Sequence, residues 1–211
     1  GETPHLFRVL WGLWAFYLVR TDLTTARDLA QRCVRLADNA NDTALQLEAR
    51  RNLGATLLWR GDLTTARGHL EQALALYGRE RHGSHAFVFG QDPGVTSLAY
   101  QAVTLWSLGD MDDALTRSQE AVALARSLDH PYSLVYALLF ASVVHQLRRE
   151  GEAALEHADA LITTSQEHGF GLGLAWGPVM RGWALTETDQ QDEGIAELRA
   201  GLEATRATRS E

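Results

Sequence analysis

This chain contains no lysine: all 19 of its basic residues are arginine. The absence excludes a phosphate loop closed by lysine, a Schiff-base lysine, and a lysine clamp on the carboxyl end of a peptide. Cysteine is nearly as scarce. Cys33 stands alone, so no intrachain disulfide can form, which fits a reducing, cytoplasmic setting. Positive charge is in deficit, and a net charge of -8 argues against a nucleic-acid backbone as partner, because phosphate binding draws on clustered cations. No apolar run reaches the roughly 20 residues that a membrane-spanning helix needs. The best candidate, Leu6 to Val19, is short and carries Arg8. No G-x-S-x-G nucleophile motif is present. The glycines of GFGLGLAWG, residues 169–177, follow no strand and are wrongly spaced for a dinucleotide. The chain is therefore expected to be neither an enzyme nor a carrier of a cofactor.

What is present is a repeat. Ala26, Ala66, Ala114, Ala154 and Gly194 each open a similar amphipathic stretch, as in GDLTTARGHLEQAL around Ala66. Successive anchors stand about 40 residues apart, with one longer step between Ala66 and Ala114. Two helical turns after each anchor come Cys33, Ala73, Ala121, Leu161 and Gly201, mostly small. Before four of the anchors come Gly54, Ala102, Ser142 and Gly182, and Trp14 is the exception. Small residues at both places let two antiparallel helices approach closely across a polar turn. Each unit thus reads as helix A, tight turn, helix B. With 45% hydrophobic and 22% charged residues the balance is that of an ordinary globular chain. The expected fold is all-α, a solenoid of five antiparallel helix pairs forming one domain over residues 1–211. Its units lie at about 4–40, 42–77, 93–128, 131–167 and 172–205. The chain begins Gly-Glu-Thr-Pro without an initiator Met and reads as an excised piece.

Along the chain, helix A1 is expected from Pro4 to Arg20 with Thr3 as its cap, and it is apolar on nearly every side. At the end of an array such a helix implies a cover from elsewhere or self-association. Asp42, Asp92-Pro93 and His130-Pro131 mark later helix starts. The irregular stretch is 78–92, GRERHGSHAFVFGQD, whose Phe87, Val88 and Phe89 are too apolar to stay solvated. It is expected to fold back onto the array. His82 and His85 form an H-x-x-H pair there with Asp92 as the local carboxylate, too few ligands for a metal site. His145 reads as a hydrogen-bonded core histidine, Cys33 as a packing thiol, and the closing ATRATRSE as frayed.

The large and small residues Leu53, Gly54, Leu57, Ala66, Leu70 and Ala73 resemble the tetratricopeptide repeat (TPR) pattern, at a period longer than the usual value of about 34. That resemblance implies a right-handed superhelix whose A helices line a concave face. Carried over residue by residue, the lining includes Trp11, Arg51, Trp106, Tyr136, Trp176 and Trp183, with Glu48 beside Arg51, and the loop residues His85, Phe87 and Phe89 lie near it. A surface this aromatic marks a binding site or a packed interior. Two readings stay open: the groove takes a protein or peptide segment, or these residues pack on one another and on the 78–92 loop. An apolar small molecule in the channel is the alternative ligand.

Four further stretches are similar to the C-terminal helical region of large bacterial proteins that join a class III adenylate/guanylate cyclase domain to a STAND/AAA-type ATPase. They are GETPHLFRVLWGLWAFYLVR (1–20), HGSHAFVFGQDPGV (82–95), HQLRRE (145–150) and AWGPVMRGWAL (175–185). This resemblance implies a regulatory array that senses or recruits a partner for neighbouring nucleotide-handling domains.

Overall fold

Short polar caps begin several of the helices. Asp42 Oδ1 accepts from the backbone N–H groups of Ala44 and Leu45 at 3.0 and 3.1 Å. Asp92 Oδ1 does the same for Gly94 and Val95 at 2.9 and 3.0 Å, with Pro93 in the first turn. His130 Nδ1 accepts from the Ser133 N–H at 3.2 Å ahead of Pro131. Each satisfies donors that the first turn of a helix leaves free. At the other end, Gly61 and Gly109 take φ of 81° and 94°, so the Gly-Asp pair turns the chain back within a few residues.

The computed structural model describes residues 2–82 and 84–208. Among these the chain forms α1 (Glu2–Val19), α2 (Leu23–Ala40), α3 (Thr43–Arg60), α4 (Leu63–Leu76), α5 (Arg79–His82), α6 (His85–Phe89), α7 (Pro93–Leu108), α8 (Met111–Ser127), α9 (Pro131–Leu147), α10 (Gly151–His168), α11 (Gly171–Glu187) and α12 (Gln191–Thr208). Helix α1 starts before Thr3, which is a helical residue and not the cap. Helix α12 runs to Thr208, so the stretch expected to fray is helical that far, and residues 209–211 lie outside the described ones.

Consecutive long helices pack in order, α1 on α2, α3 on α4, α7 on α8, α9 on α10 and α11 on α12, and each pair packs on the next. The result is an all-α, TPR-like solenoid with one continuous core. Ala26, Ala66, Ala114 and Ala154 are buried where each second helix starts, as the small-residue pattern requires. Cys33 is buried too, and burial pushes its thiol up to about 12, so it packs and does not react. Trp14, the large residue at a small position, is accommodated by a hydrogen bond from its Nε1 to Thr56 Oγ1 at 2.8 Å. No described helix is long and apolar enough to cross a membrane.

Helix α1 keeps one unpartnered stripe, Leu6, Val9, Leu13 and Phe16, spaced at three and four residues and exposed. At the far end Ile195 and Leu202 of α12 are exposed as well.

Candidate functional site: the inner face and its cover

The A helices bring an ion pair into the interior. Glu48 and Arg51, one turn apart on α3, are 0% and 1% exposed, with Arg51 Nη2 donating to Glu48 Oε2 at 2.9 Å. Trp11 Nε1 of α1 donates to the same oxygen at 3.3 Å. The Arg51 guanidinium lies over two indoles, 5.6 Å from the Trp11 ring and 5.5 Å from the Trp14 ring. Burial pushes the Glu48 carboxyl up, but Arg51 and the imidazole of His85 outweigh it and hold it below the usual carboxylate range. Next to this pair Tyr100 of α7 and Tyr136 of α9 share a hydroxyl–hydroxyl hydrogen bond, and Tyr136 stacks on Phe140 at 5.0 Å. Burial raises both phenols above their ordinary value.

The 78–92 segment closes over this cluster. It is not a plain loop: α5 and α6 form within it, and α6 stands on the inner face of α1 and α3. His85 Nδ1 meets Glu48 Oε1 at 3.0 Å. One turn later the Phe89 ring packs 5.2 Å from Trp11 and 6.2 Å, edge on, from Phe7. The base of the insert is clasped by Tyr77, whose hydroxyl donates to Asp92 Oδ2 at 3.1 Å. The expectation that Phe87, Val88 and Phe89 all bury is corrected: Phe89 is 8% exposed, whereas Phe87 is 77% and Val88 46%. A single helical turn explains the split, since residues 85 and 89 share a face and 87 and 88 point away.

The other expected lining residues divide the same way. Arg51 and Tyr136 are buried in this structure. Trp11 is partly covered by Phe89. Trp106 and Trp183 remain half-buried and Trp176 is 38% exposed, beyond the residues α6 covers. Sequence reasoning missed Phe7, Trp14, Tyr100 and Phe140 as members of the cluster. Their signal was the aromatic spacing on α1, α7 and α9; of the four, Phe7 meets the insert, at Phe89. Among the described residues, no three of His, Cys, Asp or Glu group as a metal site.

On the outer surface, a recess of about 280 Å³ between α8, α9 and α10 is lined by Ser118, Arg126, His145 and His157 among others. His145 is hydrogen-bonded through Nδ1 to Glu150 at 2.6 Å and stacks on His157 at 5.1 Å. Burial, with the nearby His145 and Arg126, lowers His157 from its ordinary value of 6.5. A histidine whose proton is held off in the folded state costs stability when the unfolded chain can take that proton. The loss therefore starts as pH falls through 6.5 and levels off below the lowered value. His157→Gln should remove this dependence, so urea melts should show the wild type losing stability relative to H157Q between about pH 7.5 and pH 5.5. A difference that stays flat across that window would refute the assignment.

No family profile matches the chain, and no curated protein matches it. Solved structures do. The chain is similar to the apo form of RapI (TM-score 0.71, 9% identity, covering 97% of this chain and 72% of that one). It is also similar to a Rap protein complexed with Competence and Sporulation Factor (TM-score 0.77, 13% identity, 93% of this chain and 53% of that one). The chain thus spans about half the length of the second. A third likeness is to the nearly identical TPR-like repeats of a kinesin light chain candidate from Podosopora anserina (TM-score 0.65, 16% identity, both chains covered in full at 100%). At these identities the likeness establishes the fold.

Proposed function

We propose that this chain is a non-catalytic interaction module, a single TPR-like array whose inner face binds an apolar helical or extended segment of a cytoplasmic protein partner. The observation that carries the reading is the half of that face beyond the insert. There Trp106 of α7 and Trp176 and Trp183 of α11 stay partly exposed. Trp176, Val179 and Trp183 recur at three- and four-residue steps along one face of α11. Indole rings anchor interfaces because they offer large contact area with few torsions to freeze. The Rap protein complexed with Competence and Sporulation Factor supports the reading, since a chain of similar fold takes a bound factor. The four stretches similar to cyclase–ATPase fusion proteins support a setting beside nucleotide-handling domains in a bacterial signalling protein. The apolar stripe of α1 supplies a second surface, for such a neighbour or for a second copy.

A displayed peptide library tests this directly. Peptides enriched on the wild-type chain should bind the Trp106→Ala/Trp183→Ala variant at least about tenfold more weakly, each tenfold being about 1.4 kcal/mol. Helicity by circular dichroism should stay intact. Equal binding by the variant would sink the reading. So would a collapse of helicity, which would make these tryptophans core.

A further inference from the structure

The 78–92 insert is an addition to the array, not one of its struts. Helix α4 packs directly on α7, and α3 on α7, so the repeats contact one another without it. The insert touches the flank of the array through Arg79 on the Ser127 carbonyl, the Asp92 N–H on Ser133 Oγ and Phe87 edge-on to His130, and it touches the face of the A helices at Trp11 and Glu48. Resting on the inner-face reading above, we propose that α6 is a built-in ligand occupying the first half of the channel. The partner is then a helix presenting a hydrogen-bond donor and, four residues later, an aromatic ring, which displaces α6 from Glu48, Trp11 and Phe7.

The chemistry follows from what α6 supplies. Glu48 has its Oε2 engaged by Arg51 and Trp11, so Oε1 takes its donor from the insert, through His85. Phe89 fills the cleft between Phe7 and Trp11, and the His85 ring closes the edge at 5.5 Å from Phe89. On α3, one turn beyond Glu48 and on its face, fully buried Asn52 leaves both its amide nitrogen and its carbonyl oxygen without a partner. The insert is also built to let go. The Ser84 side chain makes no capping bond to α6, and Phe87 and Val88 stay exposed, Phe87 resting only edge-on against His130 at 5.3 Å. Meanwhile the Tyr77–Asp92 clasp ties the two ends of the segment to each other, independently of the contacts of α6. A tether this short gives α6 an effective concentration in the millimolar range, so a guest displaces it only when its concentration relative to its Kd exceeds that same ratio for α6.

The test uses the full chain carrying His85→Ala/Phe89→Ala and a fluorescein-labelled peptide of residues 78–92. The variant should bind the peptide in trans at least tenfold more tightly than the wild type does, and a peptide with the same two alanines should not bind. A folded variant that ignores the peptide, or that binds both peptides alike, overturns the proposal. Should the variant fail to fold, hydrogen exchange on the wild type decides. Amides of 79–90 should exchange through an opening that leaves α1, α3 and α7 protected, and exchange only on global unfolding overturns the proposal. Library peptides that depend on Trp106 and Trp183 would stand even then, so the two readings fail separately.

Discussion

Replacing Arg51 by methionine is expected to lower the stability of the array by about 3–5 kcal/mol, the range for stranding one member of a buried ion pair. The loss comes from Glu48. With Arg51 gone, a fully buried carboxylate keeps only the Trp11 indole N–H and the His85 imidazole for company. Contacts between Arg51 and the rings of Trp11 and Trp14 add to the cost, each cation–π contact being worth about 0.5–2 kcal/mol. Glu48→Gln alone strands the guanidinium and should cost a similar amount. The double variant Glu48→Gln/Arg51→Met removes both charges, so it should be more stable than either single variant. Urea denaturation of the four proteins measures the coupling. A second signature separates charge from packing. In R51M burial without the guanidinium should raise the Glu48 carboxyl, so the folded state binds the proton more tightly, and stability should climb as pH falls through that raised value and level off below 4.5. In the wild type the Glu48 carboxyl is held low, so its contribution persists above 4.5 and is lost only as pH falls through the lowered value. If R51M and the double variant melt alike at every pH, the ion pair is not what holds this region.

The helices and their caps were legible because each signal was local. Asp42, Asp92-Pro93 and His130-Pro131 start helices through bonds to residues two or three positions away, and the Gly-Asp turns close hairpins within one unit. The buried alanines of the second helices follow from spacing alone. The fate of Glu48 and Arg51 was not local. Their three-residue spacing predicts a shared face of α3, but whether that face meets water depends on His85 and Phe89, far along the chain. Helices α5 and α6 were missed for a related reason: four or five residues carry too little periodicity to register. Reading HAFVF as one helical turn would have paired His85 with Phe89 and turned Phe87 outward. The sequence contains that information, and only a surface to dock on selects it.

The last helix pair differs from the others in how closely its backbones meet, and Gly182→Val should expose the difference. A Cβ at Gly182 would sit 2.7 Å from both Gly194 O and Leu198 N, and one at Gly194 would sit 2.6 Å from Gly182 O. These neighbours are backbone atoms of α11 and α12, which cannot rotate aside as the Leu70 side chain facing Gly54 can. Valine at 182 must therefore separate the helices, at about 3 kcal/mol, the upper end of the usual overpacking range. The gain from replacing a mid-helix glycine is under about 1 kcal/mol and cannot offset it. Because repeats contact only their neighbours, the damage should stay local. Amides of α12 should lose hydrogen-exchange protection while those of α3 and α7 keep theirs. Gly12 on α1 is the matched control, since a Cβ there meets nothing within 4 Å. Gly12→Ala should stabilise by about 0.5–1 kcal/mol through helix propensity alone. Should G182V leave α12 as protected as the wild type, the close approach of α11 and α12 would be disproved, and with it the reason for glycine at both positions.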